Sequence, residues 1–108
     1  MTSELTIRQM QAQVDEWVSQ WEVGYFPPLL NLARLLEESG ELARVLAHRE
    51  GKTPKAGEAK GELEEELADV LFCLICLANQ HGISLDHGFQ ACMHKLRTRD
   101  AQRFPARR

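Results

Sequence analysis

The sequence predicts an all-α fold, a four-helix bundle, on three observations. Apolar residues recur every three or four positions in four separate segments, which is the period of a helix with one buried face. We find no segment that alternates apolar and polar residues as a half-buried strand would. Polar breaks that contain glycine or proline separate the four segments from one another.

The first two predicted helices flank a turn that contains Gly24 and two prolines. Helix 1 is expected over residues 6–22, where the apolar stripe consists of Ile7, Met10, Val14, Trp17, Val18 and Trp21. Pro28 suits the first turn of a helix, where the N–H that proline lacks would have no partner anyway. Helix 2 is therefore expected from Pro28 to His48.

The other two helices are predicted after a polar loop at residues 49–61. Helix 3 is expected over 62–80 and helix 4 over 85–99, with Gly82 ending the third segment and Ser84 capping the fourth. Every residue from 70 to 78 is apolar or cysteine, so helix 3 has no solvent-facing side there. Four short helices cannot easily surround one of their own members. We therefore expect a second copy of the chain to cover helix 3, in a homodimer or a dimer of dimers.

Length and composition predict one domain, residues 1–108, in a protein that is not embedded in a membrane. The chain is 44% hydrophobic and 27% charged, which is ordinary for a globular protein. No run approaches the roughly 18 apolar residues of a membrane span. The N-terminal residues lack the apolar region of a signal peptide, so we expect a cytoplasmic location.

The three cysteines do not form the even-numbered framework of a small secreted protein. Cys73 and Cys76 have the CxxC spacing that can indicate a zinc or redox site. They lie in the middle of a predicted helix among Leu, Phe and Ile, and no second CxxC accompanies them. This setting favours small buried apolar side chains over a metal or redox function.

The net charge of −3 conceals a basic C-terminal end. Residues 1–94 hold 15 acidic and 7 basic residues, whereas residues 95–108 hold one acidic and six basic residues. A nucleic-acid-binding arm is one interpretation, but six charges with a single aromatic residue make a weak footprint. Contacts with the acidic part of the same fold, or with phosphates held there, are at least as plausible. We therefore expect no nucleic-acid partner.

Two pairs of carboxylates carry the chemistry that the sequence predicts. Glu38 and Glu41 project only about 60° apart from helix 2, and Glu66 and Asp69 have the same spacing on helix 3. If these helices pack antiparallel, the two pairs lie at one level and face each other. Four converging carboxylates repel one another unless protons or cations hold them. Oxygen ligands suit Mg²⁺ or Mn²⁺; the alternative, a solvated charge run, is typical of a single pair rather than of two matched ones.

The carboxylates also carry a family resemblance. Glu37-Glu38-x-x-Glu41, followed after 24 residues by Glu66-x-x-Asp69, resembles the EExxE…ExxD signature of the MazG nucleotide pyrophosphohydrolases. The likeness extends over nearly the whole chain and is strongest to short, single-domain members. It implies an all-α dimer that uses Mg²⁺ to cleave nucleoside triphosphates to monophosphate and pyrophosphate, as in the removal of non-canonical nucleotides.

The resemblance also implies roles for the acidic residues. Glu38, Glu41, Glu66 and Asp69 would hold the metal, and Glu37 would activate water or bind a second metal. Two other functions of the same fold stay open at this point. One is a phosphoribosyl-ATP pyrophosphohydrolase, and the other is a non-catalytic dimerising regulator, against which the intact carboxylate set argues.

Several other residues are candidates for substrate binding. A triphosphate needs fixed positive charge, for which Lys95 and Arg99, one turn apart on helix 4, are candidates, as is Arg34 on the carboxylate face of helix 2. An ion pair between Arg34 and Glu38 at i, i+4 is an equally good interpretation of that arginine.

For the base, the candidates are aromatic and amide side chains near the first turn. Trp21 could stack on a base, as could Trp17, Tyr25 and Phe26, and Asn31 could bind a base edge. However, the two tryptophans continue the stripe of Met10 and Val14, a position that favours the core.

Overall fold

A computed structural model that describes residues 3–56 and 62–107 contains four α-helices. They are α1 (Ile7–Ser19), α2 (Pro28–Arg49), α3 (Leu63–Gln80) and α4 (Leu85–Arg99). Among the described residues none lies in a strand, so the all-α prediction is confirmed. Residues 57–61 of the predicted polar loop lie outside the described residues. The largest boundary error is at α1, which ends three residues earlier than predicted, because the chain turns after Ser19 toward Gly24.

Local signals at the helix ends explain why the boundaries were predictable. Thr6 caps α1 by accepting a hydrogen bond from the Gln9 backbone, and the Gln9 side chain accepts one from the Thr6 backbone in return. The Ser84 hydroxyl accepts a hydrogen bond from the His87 N–H, which confirms the predicted cap of α4. Gly82, at φ +64°, adopts the left-handed conformation that glycine permits just beyond the end of a helix.

The helices pack around α3. Asn31, near the start of α2, meets Gln80, at the end of α3, so these two helices run antiparallel along each other. α1 packs on α3 as well, and α4 packs against α1. The buried apolar core comes from the first three helices: Val18, Val45, Cys73, Ile75, Cys76 and Ala78. The burial of the two core cysteines confirms that they serve as apolar packing residues.

The fourth helix leaves an apolar groove open. α4 contributes no buried residue among those described, and the groove between it, α1 and α3 has a volume of about 470 Å³. Leu74 and Phe89 line this groove and are 42% and 66% exposed. The radius of gyration is 17.5 Å, whereas a compact domain of this length has one of about 13 Å. The single chain therefore leaves one side of α3 incompletely covered.

Within the described residues, none of the helices is by itself both long and apolar enough to cross a membrane. Among the described helices, α3 and α4 meet the length and composition requirements when taken together, and the chain bends by 106° between them.

Candidate functional site

Three of the predicted carboxylates converge between α2 and α3. Glu38 from α2 and Glu66 and Asp69 from α3 each offer one oxygen, and these oxygens all lie within 4.8 Å of one another. The spacing of i, i+3 turns both acids of α3 toward the neighbouring helix, and the antiparallel register brings Glu38 to the same level. The geometry that the two acidic pairs predicted is therefore present for these three residues.

Glu66 is the central member of this carboxylate cluster. Burial raises the pKa of Glu66, and the negative charges of Asp69, Glu38, Glu41 and Glu65 raise it further, in that order. Its Oε2 atom is buried and accepts no hydrogen bond from the described residues. A buried carboxylate oxygen without a donor is costly, and a cation at this point would satisfy it. The cluster consists only of oxygen donors, so it fits a hard divalent cation such as Mg²⁺ or Mn²⁺.

Glu41 and Glu37, the other acidic residues of the motif, lie outside the group of three. Glu41 is close enough to raise the pKa of Glu66, but its Oε2 accepts a hydrogen bond from the Arg44 guanidinium one turn away. Glu37 is exposed on the polar side of α2, as the helical periodicity predicted. The prediction of four converging ligands is thus matched by three side chains, with Glu41 beside them.

Arg34 contacts an aromatic ring instead of a carboxylate. Its guanidinium carbon lies 5.5 Å from the centroid of the Phe26 ring. Among the described residues it forms no ion pair with Glu38, so that interpretation is wrong. Burial raises the pKa of Cys73, which the Arg34 charge opposes and the Glu38 charge reinforces. Arg34 precedes Glu38 by one turn of α2, so both side chains start from the same side of that helix.

Arg34 also lines an aromatic cavity of about 420 Å³. Trp17 and Trp21 line it too, with ring centroids 5.8 Å apart in an edge-to-face arrangement, and Phe72 of α3 contributes a third ring. Trp17 is 55% exposed and Trp21 is 50% exposed, so placing the tryptophans in the core of the chain is wrong. Helical periodicity alone cannot tell a side chain that faces a cavity from one that is packed on all sides.

Asn31 is the most buried polar residue of the cavity wall, at 3% exposed. Its amide nitrogen donates to the Gln80 side-chain oxygen at 2.8 Å and to the Phe26 carbonyl at 3.3 Å. That nitrogen therefore serves the fold, so the predicted contact with a base edge would have to be made by the amide oxygen. Gln80 was not identified from the sequence. The feature that could have identified it is a pair of amide side chains, Asn79 and Gln80, directly after nine apolar residues of α3.

Lys95 and Arg99 are not brought to the carboxylates within one chain. Both are exposed on α4, which packs against α1 and not along α2. Within the described part of the chain, neither of them forms an ion pair with an acid of the cluster. Within one chain the predicted approach of these two cations to the carboxylates is therefore not seen.

Comparisons with known proteins agree on one family. The sequence profile of the MazG nucleotide pyrophosphohydrolase domain matches residues 26–104. The uncharacterized protein YpjD of Bacillus subtilis (strain 168) is 50% identical over 103 residues, which cover 94% of this chain and 93% of YpjD. The crystal structure of Bacillus subtilis YpjD superposes with a TM-score of 0.78 at 49% identity, covering 90% of this chain and all of that one.

A second crystal structure, of a Bacillus-conserved MazG protein that is a nucleotide pyrophosphohydrolase, superposes with a TM-score of 0.76. It is 42% identical, and the match covers 91% of this chain and 96% of that chain. At these identities the likeness extends to the sequence as well as to the fold.

Proposed function

Because the chain belongs to the MazG nucleotide pyrophosphohydrolase family, we propose that it is a Mg²⁺-dependent enzyme that cleaves nucleoside triphosphates to monophosphate and pyrophosphate. One observation carries the proposal: Glu38, Glu66 and Asp69 present their oxygens within 4.8 Å of one another. The arrangement stands close to a cavity lined by aromatic rings and an arginine. A site for a phosphate-bound cation and a site for a nucleoside thus lie side by side.

The residues of the cluster have separate tasks in this proposal. Glu38, Glu66 and Asp69, supported by Glu41, hold the cation. Bound Mg²⁺ would neutralise the charge that develops on the phosphate oxygens, and Mn²⁺ suits the same carboxylate donors. Glu37, exposed beside the cluster, orients the attacking water and accepts its proton.

The cavity holds the nucleoside. Trp17 and Trp21 present exposed ring faces on which a base can stack, a contact that tolerates any base. Arg34, between the cavity and the carboxylates, donates hydrogen bonds to the phosphate chain. The Phe26 ring holds the guanidinium at this position until substrate arrives.

We place the enzyme in the cytoplasm as a homodimer or dimer of dimers. The apolar groove beside α3 and α4 supports the assembly because a second chain would remove its exposed side chains, Leu74 and Phe89, from water. In this assembly a partner subunit supplies Lys95 and Arg99 to the phosphate chain.

A product assay tests the function. Purified protein with Mg²⁺ and a panel of nucleotides is expected to release pyrophosphate, and in ¹⁸O-labelled water the label is expected in the monophosphate. Water then attacks the α-phosphorus, and pyrophosphate leaves as one unit. Label in pyrophosphate, or release of orthophosphate alone, would contradict the proposal. Activity confined to phosphoribosyl-ATP would identify the other hydrolase of this fold, and no hydrolysis of any nucleotide would favour a regulator.

Neutralising Lys95 and Arg99 together is expected to lower kcat about tenfold and to raise KM, because charge gathers on the leaving pyrophosphate in the transition state. Fixed cations that approach this group from the partner stabilise the transition state more than the bound substrate. The measurement is steady-state kinetics of the Lys95→Gln, Arg99→Gln double variant. Neutralising Arg103 and Arg107, farther along the same basic end, is the matched control and should alter only salt-dependent association. Unchanged kcat in the first variant would refute the role.

A further inference from the structure

The segment between α1 and α2, residues 20–27, forms one wall of the aromatic cavity and is here called the aromatic segment. It carries Trp21, Tyr25 and Phe26 and adopts neither helix nor strand over its length. Trp21 and Phe26 are 50% and 36% exposed, so burial of apolar surface does little to hold them in place. The position of this wall must therefore depend on polar contacts.

The first of these contacts is at the Tyr25 hydroxyl. It donates to Asp15 Oδ1 at 2.8 Å and accepts from the Asn79 side-chain amide at 2.9 Å. Burial raises the pKa of Tyr25 to about 12, the hydrogen bond from Asn79 opposes the rise, and Asp15 adds to it. The hydroxyl therefore stays protonated at neutral pH and keeps donating to Asp15.

The second contact is at the next residue of the segment. The Phe26 carbonyl accepts hydrogen bonds from the side-chain amides of Asn31 and Gln80. The same two amides bond each other at 2.8 Å, so neither can rotate away alone. The Phe26 ring in turn supports the Arg34 guanidinium at the edge of the cavity.

Asn79, which supports Tyr25, is itself fixed from α1. Its oxygen accepts from the Gln11 side chain and its nitrogen donates to the Gln11 carbonyl, both at 2.9 Å. The side-chain oxygen of Gln11 accepts a hydrogen bond from the Leu85 N–H at 3.0 Å, at the start of α4. A half-buried network whose members all have partners is rigid and holds a single arrangement.

We propose that Asn79 and Gln80, the last two residues of α3, are positioning residues that hold the aromatic segment as the wall of the nucleoside site. Neither touches the reacting atoms; they act through Tyr25 and Phe26. This inference rests on the proposed function, because it assigns the nucleoside to the cavity. The inference predicts that these two residues affect the affinity for the nucleoside part of the substrate and leave the affinity for the phosphate part unchanged.

Tyr25→Phe and Asn79→Ala test the role. Tyr25→Phe removes two hydrogen bonds of the hydroxyl, one of them to the Asp15 carboxylate, and Asn79→Ala removes three hydrogen bonds of the side-chain amide. Each variant should raise KM for the nucleotide by at least about 3- to 10-fold, with kcat within about twofold of wild type. The inhibition constant of Mg-pyrophosphate, which does not contact the aromatic rings, should change little, because Asn31 and Gln80 still hold the Phe26 carbonyl in both variants. The protein has two tryptophans and both line the cavity, so their fluorescence reports on this site alone. A titration with a non-hydrolysable nucleotide should show the same loss of affinity as KM.

Two variants provide controls. Asp15→Asn keeps an oxygen that accepts from the Tyr25 hydroxyl, so it should retain the wild-type KM, whereas Asp15→Leu should raise it. Gln90→Ala removes an exposed amide that bonds Asp86 at 2.8 Å on α4, away from the cavity, and should change nothing.

Several results would overturn the inference. One is a Tyr25→Phe enzyme with wild-type nucleotide affinity by both KM and fluorescence. Another is an equal loss of affinity for nucleotide and pyrophosphate, which would indicate a general structural role. If wild-type protein hydrolyses no nucleotide, the proposed function fails, and the fluorescence titration alone decides: weaker nucleotide binding in Tyr25→Phe supports the positioning role, and no nucleotide binding by wild type refutes it.

Discussion

Glu38→Ala or Asp69→Ala is expected to abolish nucleotide hydrolysis while the protein stays folded, with a metal-free melting temperature that is unchanged or higher than that of wild type. Hydrolysis should fall by at least about 10³-fold, since the proposed cation, which would neutralise the phosphates, would lose a ligand. The unusual part of the expectation is the stability, because most substitutions in a packed region destabilise a protein.

The physical reason is repulsion within the carboxylate cluster. Glu38, Glu66 and Asp69 hold their oxygens within 4.8 Å of one another, and in the absence of metal each ionised group destabilises the others. Removing one of them relieves that repulsion. Burial and the neighbouring charges both raise the pKa of Glu66, so the metal-free fold favours its protonated form.

A pH dependence follows from the direction of this shift. A carboxyl group whose pKa is higher in the folded than in the unfolded state contributes stability that is full below the unfolded pKa. That contribution is lost as the pH rises through the raised pKa of the folded state. Metal-free wild type should therefore lose stability as the pH rises above the ordinary range of a glutamate carboxyl group, and Glu66→Gln should lose less. Mg²⁺ should stabilise wild type most at the higher pH, where the cluster is fully ionised.

Thermal melting in chelator and in Mg²⁺, from mildly acidic to mildly alkaline pH, measures these effects. Glu64→Ala is the control, since Glu64 is an exposed acid in the first turn of α3 outside the cluster. A clear drop in the metal-free melting temperature of Glu38→Ala, relative to this control, would contradict the metal-ligand assignment. It would favour a network in which the carboxylates stabilise the fold through partners of opposite charge.

The convergence of the three acids could be predicted because it depends only on helix geometry and on one antiparallel pairing. Spacings of i, i+3 fixed which acids share a face, and the length of α2 beyond Glu41 fixed their level against Glu66. The ends of α4 were predicted to the residue for a similar reason, since Ser84 acts on its own local backbone.

The side-chain partners of residues in distant segments could not be predicted from helix geometry. Asn31 and Gln80 are 49 positions apart, and the antiparallel register of α2 and α3 only brings them to one level. Which partner each amide takes depends on side-chain rotamers that helix periodicity does not determine. Whether Arg34 contacts Glu38 or the Phe26 ring depends on where the aromatic segment lies. The exposure of Trp17 and Trp21 reflects a cavity, which leaves the same apolar periodicity as a filled core.

Leu74→Glu is expected to make the protein monomeric, whereas wild type is expected to be a dimer. The variant should also lose most of the nucleotide hydrolysis. Leu74 lies in the uninterrupted apolar stretch 70–78 of α3 and is still 42% exposed in the single chain. It lines the groove with Phe89 of α4, a helix that buries none of its own described residues. An apolar helix with one open side is stable in water only if something covers that side.

The charge introduced at Leu74 would be buried without a partner in the dimer and solvated in the monomer. Burying an unpaired charge costs several kcal/mol, so the dissociation constant of the dimer should rise on the order of 10³-fold. Leu36→Glu is the matched control, because Leu36 is 65% exposed on α2 and does not line the groove. Sedimentation at micromolar concentration should then show monomers for Leu74→Glu and at least dimers for the control and wild type. Monomeric wild type would refute the dimer, and with it the supply of Lys95 and Arg99 from a partner, because those cations do not reach the carboxylates within one chain.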